Sequence, residues 1–368
     1  MLRIICRFYS ETLPKQAETL KSYNSQIYTC IKNLNTKSAL LKFNEMTDKK
    51  IHPTLETFHT IITYGFVRKR DLKNAQDWFN KMAIYDVKPD LFIYNSMISV
   101  CLKESNVDGC LFYYKEMIRN GIKPNVFTFN CLLKIYNKIN DRENTIKMFD
   151  SMVQQGIVPD VVSCKTLIEA SCTARDEVNA LVYFNFMIKN GINLDAQTFN
   201  LLIQMYSDLD NIIQAETYFK YIKERKIKRE ASTYGIMIEM YLKNKDLKMA
   251  LKYKNEMERE KLQPLLGVYC NLIKYYRDRG LKEEGIQVYQ ELKTKRVKVN
   301  VNVLYQVVDL FHDDINQAAK WYKTLTSEGA TSSKNVRWLL LDIYKRTEKG
   351  TRIEQEAMNV LKDVRYGA

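Results

Sequence analysis

The side chains that could carry out catalysis are few and poorly placed for it. The three histidines are His52, His59 and His312, and none of them begins an H-x-E motif. No two of the eight cysteines form a C-x-x-C pair, so the ligand set of a zinc deaminase or zinc knuckle is missing. Asp313 and Asp314 are adjacent, but two neighbouring carboxylates on a short turn do not form a two-metal nuclease site. With no glycine-rich phosphate loop either, the sequence predicts no metal, no cofactor and no enzymatic activity.

Basic side chains, in contrast, recur at a spacing that suits a polyanion. Gaps of 36, 35, 35 and 105 residues separate five of them: Lys32, Arg68, Lys103, Lys138 and Lys243. Cations at one register of a regular structure form a stripe that can follow the phosphates of a nucleic acid. The same register elsewhere is occupied by residues without positive charge: Thr173, Asp208, Asp278 and Asp313. The predicted phosphate-binding stripe is therefore strongest early in the chain, and a merely solvated face is the alternative.

The composition indicates a folded, basic and mainly helical chain. Its 368 residues include 46% apolar side chains, and 57 Lys and Arg outnumber 43 Asp and Glu for a net charge of +14. This apolar fraction excludes a disordered chain, and the scarcity of Gly (12) and Pro (6) argues against an all-β protein. No apolar stretch approaches the length of about 18 residues that a membrane span needs. The cysteines are expected to be free thiols packed as small hydrophobic groups, rather than disulfides.

The prolines reveal the elements that must position these side chains. Gaps of 36, 35, 35 and 105 residues separate five of the six prolines: Pro53, Pro89, Pro124, Pro159 and Pro264. Because 105 is three times 35, the chain is predicted to consist of tandem repeats. About nine repeats of about 35 residues are expected, at residues 20–54, 55–90, 91–125, 126–160, 161–195, 196–230, 231–265, 266–300 and 301–332. The second contains one extra residue, the ninth is shortened, and C-terminal capping helices with a tail are expected at residues 333–368.

The fourth repeat shows how each repeat folds. One helix face is predicted from apolar residues spaced i, i+3, i+4 and i+7: Phe129, Leu132, Leu133 and Tyr136. Asn140 and Asp141 offer an N-cap for a second helix, whose apolar face comprises Thr145, Met148, Phe149 and Met152. Gly156 then provides a C-cap, and Pro159 stands where a helix cannot continue. Each repeat is therefore two antiparallel helices, and stacking them gives an all-α fold, an α-solenoid with a concave surface.

Equivalent positions of the repeats agree in chemistry and are predicted to form the core. An aromatic residue stands near the start of most repeats: Tyr23, Phe58, Tyr94, Phe129, Phe199, Tyr234 and Tyr269. A small residue stands at the middle: Ala39, Ala75, Cys110, Ala180, Ala215, Ala250 and Gly285. A methionine comes late: Met46, Met82, Met117, Met152, Met187 and Met257. At helical spacing, such stripes indicate packing rather than a cofactor site.

These repeats resemble the P-type repeats of mitochondrial members of the pentatricopeptide repeat family. The features that carry the resemblance are the period, the closing sequences GIKPN (residues 121–125) and GIVPD (residues 156–160), and an aromatic-Asn pair: Tyr94-Asn95, Phe129-Asn130 and Phe199-Asn200. Tetratricopeptide repeats also form helix pairs, but their period is about 34 residues. The resemblance covers residues 20–300 well and the remaining residues loosely.

The resemblance implies a single-stranded RNA ligand that is read one base per repeat. In that family the fifth and last residues of a repeat address the edge of a base, and the second residues of successive repeats sandwich it. The best matches here are Asn95 with Asn125, which implies a pyrimidine, and Asn130 with Asp160, which implies uracil. Two pairs match less well: Asn200 with Glu230 and Asn24 with Thr54.

Base reading is expected mainly in the third and fourth repeats. The residues implied to stack on bases there are Phe92, Phe127 and Val162. Other pairs depart from the usual combinations: His59 with Asp90, Lys165 with Asp195, Gly235 with Leu265, and Cys270 with Asn300. Some second residues are also unsuited to stacking: Glu56, Gly267 and Asn302. Outside the third and fourth repeats, the preferred alternative is that each Asn caps a helix or is a solvated polar residue.

The first residues predict import into mitochondria. Arg3 and Arg7 alternate with apolar residues, and no acidic residue appears before Glu11. This pattern is typical of a mitochondrial presequence rather than of a secretory signal, whose apolar core is longer. Residues 1–15 are therefore predicted to be a presequence and short linker that direct the protein to the matrix, with a frayed terminus as the alternative.

Two functions of different classes follow from the sequence. The first is a mitochondrial protein that holds a short single-stranded segment of mRNA or rRNA in its groove and acts in transcript stability, processing or translation. The second is a structural component that docks on the mitochondrial ribosome or on other protein partners, such as RNA-processing proteins. The unusual fifth and last residues from the fifth repeat onward favour this second function. A processing nuclease with an unrecognised C-terminal site is a third alternative.

Overall fold

Every regular element in the described part of the chain is a helix, which confirms the predicted all-α fold class. The structure is a computed structural model that describes residues 19–295, 297, 299–327, 334–347 and 353–366. The predicted presequence lies outside these residues. The chain divides into two compact halves, an N-terminal half of residues 1–194 and a C-terminal half of residues 195–368.

The N-terminal half consists of five helix pairs. They are α1 (19–32) with α2 (Thr36–Asp48), α3 (Leu55–His59) and a π-helical segment (Thr60–Val67) with α4 (Leu72–Ile84), α5 (Leu91–Lys103) with α6 (Val107–Arg119), α7 (Val126–Lys138) with α8 (Arg142–Gln154), and α9 (Val161–Thr173) with α10 (Glu177–Lys189). From the second pair onward, the two helices of a pair pack together, and the first helices of successive pairs pack side by side.

The C-terminal half has the same construction. Its helices are α11 (Ala196–Asp208), α12 (Ile212–Glu224), α13 (Ala231–Lys243), α14 (Leu247–Arg259), α15 (Leu266–Arg277), α16 (Lys282–Thr294), α17 (Val301–Asp309), α18 (Ile315–Ser327), α19 (Lys334–Thr347) and α20 (Gln355–Tyr366). The last two pack on α18. From Leu55 to Val301, first helices begin where the period placed the start of a repeat. The division of the chain into nine repeat domains stays a prediction.

One type of turn closes most helices and opens the next. After α5, Ser105 adopts the left-handed conformation with φ of 57°. The N–H of Asn106 then bonds the carbonyl of Cys101 over 2.9 Å, which satisfies an otherwise unpaired group at the end of the helix. The side chain of Asn106 accepts from the N–H of Gly109 over 2.8 Å and so caps α6. Because the reversal takes so few residues, the two helices run antiparallel.

The capping residues predicted in the fourth repeat are confirmed. Asp141 is the N-cap of α8 and accepts from the N–H of Asn144 over 3.1 Å, while Asn140 adopts the left-handed conformation before it. Gly156 follows α8 with φ of 72°, a conformation that costs glycine nothing because it lacks Cβ. Pro159 lies in the loop before α9.

The predicted core is buried. None of the seven aromatic residues at the starts of the repeats is more exposed than Tyr23, at 6%, and the six late methionines are fully buried. The cysteines in the described residues are free thiols, and each is buried or half-buried, as expected of small hydrophobic groups. Burial of one large side chain stabilises the fold by about 1.5–3 kcal/mol, so these stripes dominate the stability of each half.

The extra residue of the second repeat lies inside its first helix. Helix α3 continues after His59 as the π-helical segment, whose turns hold one residue more than those of an α-helix. Arg68 follows this segment and occupies the same position in its repeat as Lys103 and Lys138 do in theirs. The wider turns therefore accommodate the insertion without shifting the residues that follow it.

Candidate nucleic-acid interface

The predicted base-reading residues lie where successive first helices begin. The side chain of Asn125 caps α7 and that of Asp160 caps α9, and they accept from the backbone N–H of Thr128 and Ser163 over 3.0 and 2.9 Å. Helix capping, which was the alternative to base reading, is thus one function of both side chains. Capping uses one oxygen of each side chain and leaves the rest of the group for other contacts.

In the third repeat the two predicted readers contact each other. Asn95 Nδ2 donates to Asn125 Oδ1 over 3.3 Å, and Thr128 Oγ1 donates to Asn95 Oδ1 over 2.7 Å. Asn95 is 8% exposed and Thr128 is fully buried. The hydroxyl therefore fixes the orientation of the Asn95 amide. Among the described residues, no hydrogen bond reaches Asn125 Nδ2, so this pair offers amide N–H groups to a ligand.

In the fourth repeat the same arrangement includes a carboxylate. Asn130 Nδ2 lies 3.1 Å from both carboxylate oxygens of Asp160, and Ser163 Oγ donates to Asn130 Oδ1 over 2.6 Å. Partial burial alone would raise the pKa of Asp160, but hydrogen bonds from Ser163 and Asn130 outweigh it and lower this pKa below its ordinary value. Asp160 is therefore ionised at neutral pH, and the pair offers an amide N–H beside an acceptor.

The first repeat contains only half of this arrangement. Thr57 Oγ1 donates to Asn24 Oδ1 over 2.7 Å, as in the third and fourth repeats. Asn24 Nδ2, however, donates to Glu56 over 3.2 Å, whereas the hydroxyl of Thr54 lies 3.4 Å from that of Thr57. The structure thus fixes the fifth residue but does not bring Asn24 and Thr54 together as a pair.

In the sixth repeat, hydrogen bonds do not hold the predicted pair as they do in the third and fourth repeats. Asn200 Nδ2 donates to Ser232 Oγ over 3.1 Å, and Ser232 in turn donates to Glu230 over 3.2 Å. Asn200 Oδ1 and Thr233 Oγ1 are buried without a hydrogen-bond partner in the described structure. The predicted pair of Asn200 and Glu230 is therefore bridged by a serine rather than joined directly.

A sequence signal for the fixed pairs was missed. An Asn at the fifth position is followed 33 residues later by a hydroxyl residue in four repeats: Thr57, Thr128, Ser163 and Thr233. Three of these hydroxyls hold the Asn in the structure. The pairs that depart from the family pattern have another residue at one or both of the two positions.

A cleft collects three of the four readers of the third and fourth repeats and two of the three stacking residues. Its volume is about 580 Å³, and its lining includes Asn125, Asn130, Asp160, Phe127 and Val162. Phe127 and Val162 are 48% and 36% exposed, and Phe92 outside this lining is 46% exposed. Large apolar side chains half-exposed beside polar groups suit a flat ring with a hydrogen-bonding edge. The structure thus brings together the residues that the sequence singled out most strongly.

Lys134 lines the same cleft and was not predicted. It is exposed on α7, one turn before Lys138. The same register holds Ser99 in the third repeat and Glu169 in the fifth, so periodicity could not identify it. Its ammonium adds a positive charge where a nucleic acid would enter the cleft.

The predicted phosphate-binding residues are all exposed, but their surroundings differ. Lys32, Lys103 and Lys138 form no ion pair with the described residues. Arg68 lies over the ring of Tyr64, with its guanidinium carbon 4.4 Å from the ring centre. Lys243 lies 3.1 Å from Glu239 and 3.7 Å from Asp208. The free cations of the stripe therefore belong to the N-terminal half.

The acidic residues considered for catalysis make structural contacts. Asp313 forms an ion pair with Lys282 over 2.5 Å, which lowers the pKa of this carboxyl. Asp314 accepts from the N–H of Asn316 over 3.0 Å at the start of α18. Within the described ranges, no group of three or more His, Cys, Asp or Glu side chains could hold a metal ion. The same part of the chain contains no helix of the length and apolarity needed to cross a membrane.

Two models of known families together match more than half of the chain. The model described as the PPR repeat family matches residues 89–138 and 124–173. The model described as the pentacotripeptide-repeat region of PRORP matches residues 168–329. Together the matches run from the third predicted repeat to the ninth.

A sequence relative is the mitochondrial 15S rRNA processing factor CCM1 of Debaryomyces hansenii. It is 26% identical over 115 residues, which amount to 31% of this chain and 15% of that protein. The chain therefore aligns with a small part of this relative.

Solved structures share the fold. The pentatricopeptide repeat protein PPR10 from maize superposes with a TM-score of 0.64 and 18% identity, over 96% of this chain and 58% of that chain. PPR10 in complex with an 18-nt psaJ RNA element gives a TM-score of 0.52 and 16% identity, over 97% of this chain and 62% of that chain. The chain spans less than two thirds of PPR10. At these identities the likeness concerns the fold, and it confirms the predicted α-solenoid of helix pairs.

Proposed function

Because the chain belongs to the pentatricopeptide repeat family, we propose that its N-terminal half binds a short segment of single-stranded RNA along the first helices of its repeats. The observation that carries this proposal is the cleft at the third and fourth repeats. There Asn125, the fixed pair of Asn130 and Asp160, two exposed apolar side chains and Lys134 line one space of about 580 Å³. Polar groups for a base edge, apolar surfaces for its faces and a cation for its phosphate are what such recognition requires.

The fourth repeat offers a surface that complements uracil. One N–H of Asn130 points to Asp160 and its oxygen accepts from Ser163, so its second N–H is the donor left for a ligand. The carboxylate of Asp160 supplies an acceptor beside it. Uracil presents a ring N–H flanked by two carbonyls, so the carboxylate accepts from the N–H while the amide donates to a carbonyl.

The third repeat offers donors without an equivalent acceptor. The oxygens of Asn95 and Asn125 accept from Thr128, which leaves amide N–H groups for the base. Uracil and cytosine both carry a carbonyl oxygen that can accept from them, which agrees with the pyrimidine that the family resemblance implies for this repeat and does not separate the two bases. Phe92 and Phe127 flank that base, and stacking on an aromatic ring contributes about 1–3 kcal/mol per base.

The free cations supply the part of the affinity that is independent of sequence. Lys32, Lys103, Lys138 and the unpredicted Lys134 lie exposed on first helices. Each contact to a phosphate of a single strand contributes roughly −0.7 to the slope of log affinity against log salt concentration. The ion-paired Lys243 contributes less, because a phosphate would have to displace Glu239 and Asp208.

We place the protein in the mitochondrial matrix, acting by occupancy of a transcript rather than by catalysis. The similarity to CCM1, a mitochondrial 15S rRNA processing factor, supports this compartment and this class of RNA event. An RNA segment held in the cleft is shielded from nucleases and from base pairing, which is sufficient to affect stability, processing or translation.

The experiment compares two double variants on an RNA selected from a randomised single-stranded pool. Asn130→Ala with Asp160→Ala should relax base preference at one nucleotide with little change in salt dependence. Lys103→Ala with Lys138→Ala should weaken all sequences alike and reduce the salt slope by roughly 1.4. The control, Lys115→Ala with Lys147→Ala, removes the same charge from the second helices α6 and α8 and should change neither the base preference nor the salt slope. Identical behaviour of the first two variants would refute the assignment of readers and phosphate contacts.

A second function is favoured by a different surface. Ile118, Val153 and Ile188 occupy one register of α6, α8 and α10 and are 46–47% exposed. Such a row suits a docking contact with a protein complex such as the mitochondrial ribosome. Replacing all three by Ser should release the protein from ribosomal fractions, while RNA binding by the isolated protein stays unchanged. Unchanged co-sedimentation of that variant would rule out this surface.

A further inference from the structure

The C-terminal pair of helices, α19 and α20, begins with a helix that is built like the first helix of a repeat. Helix α19 packs beside α17, as the first helices of earlier pairs do. Its fifth residue is Trp338, and the fifth residue of α17 is Tyr305. In the third and fourth repeats, the fifth residue is the predicted base reader. We propose that Trp338 and Tyr305 form a stacking site for a base of single-stranded RNA, an inference that rests on the proposed function.

A cavity lies between the first turns of α17 and α19. Its volume is about 530 Å³, close to the volume of about 580 Å³ at the third and fourth repeats. Tyr305 and Trp338 line it together with the second residues of the two helices, Asn302 and Asn335. The second and fifth residues of α7 likewise line the cleft of the third and fourth repeats. The cavity is therefore the counterpart of that cleft, with aromatic rings in place of the polar readers.

The indole of Trp338 is more accessible than the other aromatic rings considered for stacking. Trp338 is 67% exposed, whereas Phe127 in the cleft of the third and fourth repeats is 48% exposed. The other two tryptophans differ from it, since Trp78 is buried and Trp321 packs against neighbouring rings. An apolar ring of this size is unfavourable in water, and a flat ligand stacked on it would remove that surface from the solvent.

The charges of α19 favour an anionic strand as the ligand. The helix carries one carboxylate, Asp342, and four cationic side chains: Lys334, Arg337, Lys345 and Arg346. Asp342 lines the cavity but forms an ion pair with Arg346, which offsets the repulsion between this carboxylate and a phosphate. Arg346 is the thirteenth residue of α19, as Lys138 is of α7, and its side chain is 66% exposed. RNA therefore matches both the rings and the charge of this surface, whereas an apolar protein partner would match the rings alone.

The site is expected to bind a base without selecting which one. Every base has a π-face, so stacking on an indole ring tolerates all four. The exposed amides of Asn302 and Asn335 each carry a donor and an acceptor, so they can meet either kind of group on the edge of a base. The site should therefore add affinity to a sequence-specific complex without specifying a further nucleotide.

The experiment varies the flanks of the RNA that the wild-type protein selects from a randomised pool. The full chain is titrated with this RNA carrying long flanks of uridine, of adenosine or of abasic nucleotides, which keep the phosphates but lack the bases. Uridine and adenosine flanks should both bind about tenfold more tightly than abasic flanks, because only they can stack. The fluorescence of Trp338 should be quenched by flanks with bases and not by abasic flanks.

Three variants assign the effect to the indole. Trp338→Ala should lose the advantage of flanks with bases, while its affinity for abasic flanks stays unchanged. Trp338→Phe keeps an aromatic ring and should keep most of the advantage, although the fluorescence change disappears. The matched control is Phe112→Ala, which removes a 54% exposed ring from the second helix α6 and should leave the advantage intact.

The outcomes separate this inference from the function on which it rests. If Trp338→Ala keeps the full advantage of flanks with bases and still discriminates uracil at the fourth repeat, the stacking site is refuted and the proposed function stands. If the wild-type protein binds no RNA, both proposals fail. Wild-type helicity of Trp338→Ala by circular dichroism excludes unfolding as the cause of a loss. Quenching of Trp338 by a mitochondrial protein fraction but by none of the RNAs would assign the surface to a protein partner and overturn the inference.

Discussion

Replacing Thr128 by Val tests whether a buried hydroxyl holds the third-repeat reader in place. Thr128 Oγ1 donates to Asn95 Oδ1 over 2.7 Å and accepts from the N–H of Asn125 over 3.2 Å. Valine has nearly the same shape, so the substitution removes these hydrogen bonds without opening a cavity. Each buried polar group left without a partner costs about 1–3 kcal/mol. Because the Asn125 side chain still caps α7, we expect a total destabilisation of about 2 kcal/mol.

The chain contains a matched control in Thr233. It occupies the same register, is fully buried, and its hydroxyl has no hydrogen-bond partner in the described structure. Thr233→Val removes an unsatisfied group, so the free energy of unfolding should stay within about 0.5 kcal/mol or rise slightly. The two substitutions are chemically identical and differ only in what the hydroxyl contacts.

Urea unfolding followed by circular dichroism measures the stability difference, and hydrogen exchange over residues 91–138 locates it. In RNA binding, Thr128→Val frees the Asn95 amide to rotate, which should reduce the pyrimidine preference at the third-repeat nucleotide. The salt slope should not change. Equal destabilisation by both substitutions, or a Thr128→Val protein with wild-type stability and base preference, would refute the fixed-amide argument.

Packing and electrostatics give three further expectations. Gly109→Ala should lower the free energy of unfolding by about 1–3 kcal/mol in urea, because its Cβ would lie 2.8 Å from Cys101 Sγ; wild-type stability would contradict this packing. Glu291→Gln should destabilise by about 1–3 kcal/mol at neutral pH, since the buried Lys254 loses a carboxylate at 2.7 Å. Burial would raise the pKa of Glu291, but its lysine partners lower it, so this deficit should shrink below about pH 4, and a pH-independent deficit would contradict the ion pair. Hydrogen bonds from the first turn of α10 lower the pKa of Asp176 to about 2, so the loss of Tm in Asp176→Ala should fade between about pH 4 and pH 2.

The fold could be predicted from the sequence because most repeats carry the same types of residue at equivalent positions. The proline period fixed the helix starts, as at Leu91 and Val126, and the buried positions of Phe129 and Met152 followed from helical spacing. Local turn chemistry at Asp141 added the boundary inside the repeat. Because several repeats carry the same type of residue at a position, the prediction does not depend on a chance match in any single repeat.

The candidate site was less predictable because it depends on contacts between repeats. Register alone placed Lys243 in the cation stripe, but Asp208 and Glu239 pair with it. His59 and Asp90 departed from the expected residue types, although their side chains meet as closely as those of the fourth repeat. Lys134 has no counterpart in neighbouring repeats. Periodicity finds what repeats share, and these features are what distinguishes one repeat from another.

The π-helical segment has a consequence for how such a chain tolerates change. A gene that gains one codon inside an α-helix would rotate every later side chain by about 100°, turning buried faces outward. In the second repeat the wider turns of Thr60–Val67 accommodate the additional residue, and Arg68 keeps the position that its counterparts occupy in the other repeats. A one-residue insertion in this family thus need not disrupt the spacing between successive repeats. Repeats that contain such a segment can therefore differ in length while their spacing still matches the regular spacing of nucleotides along a single strand.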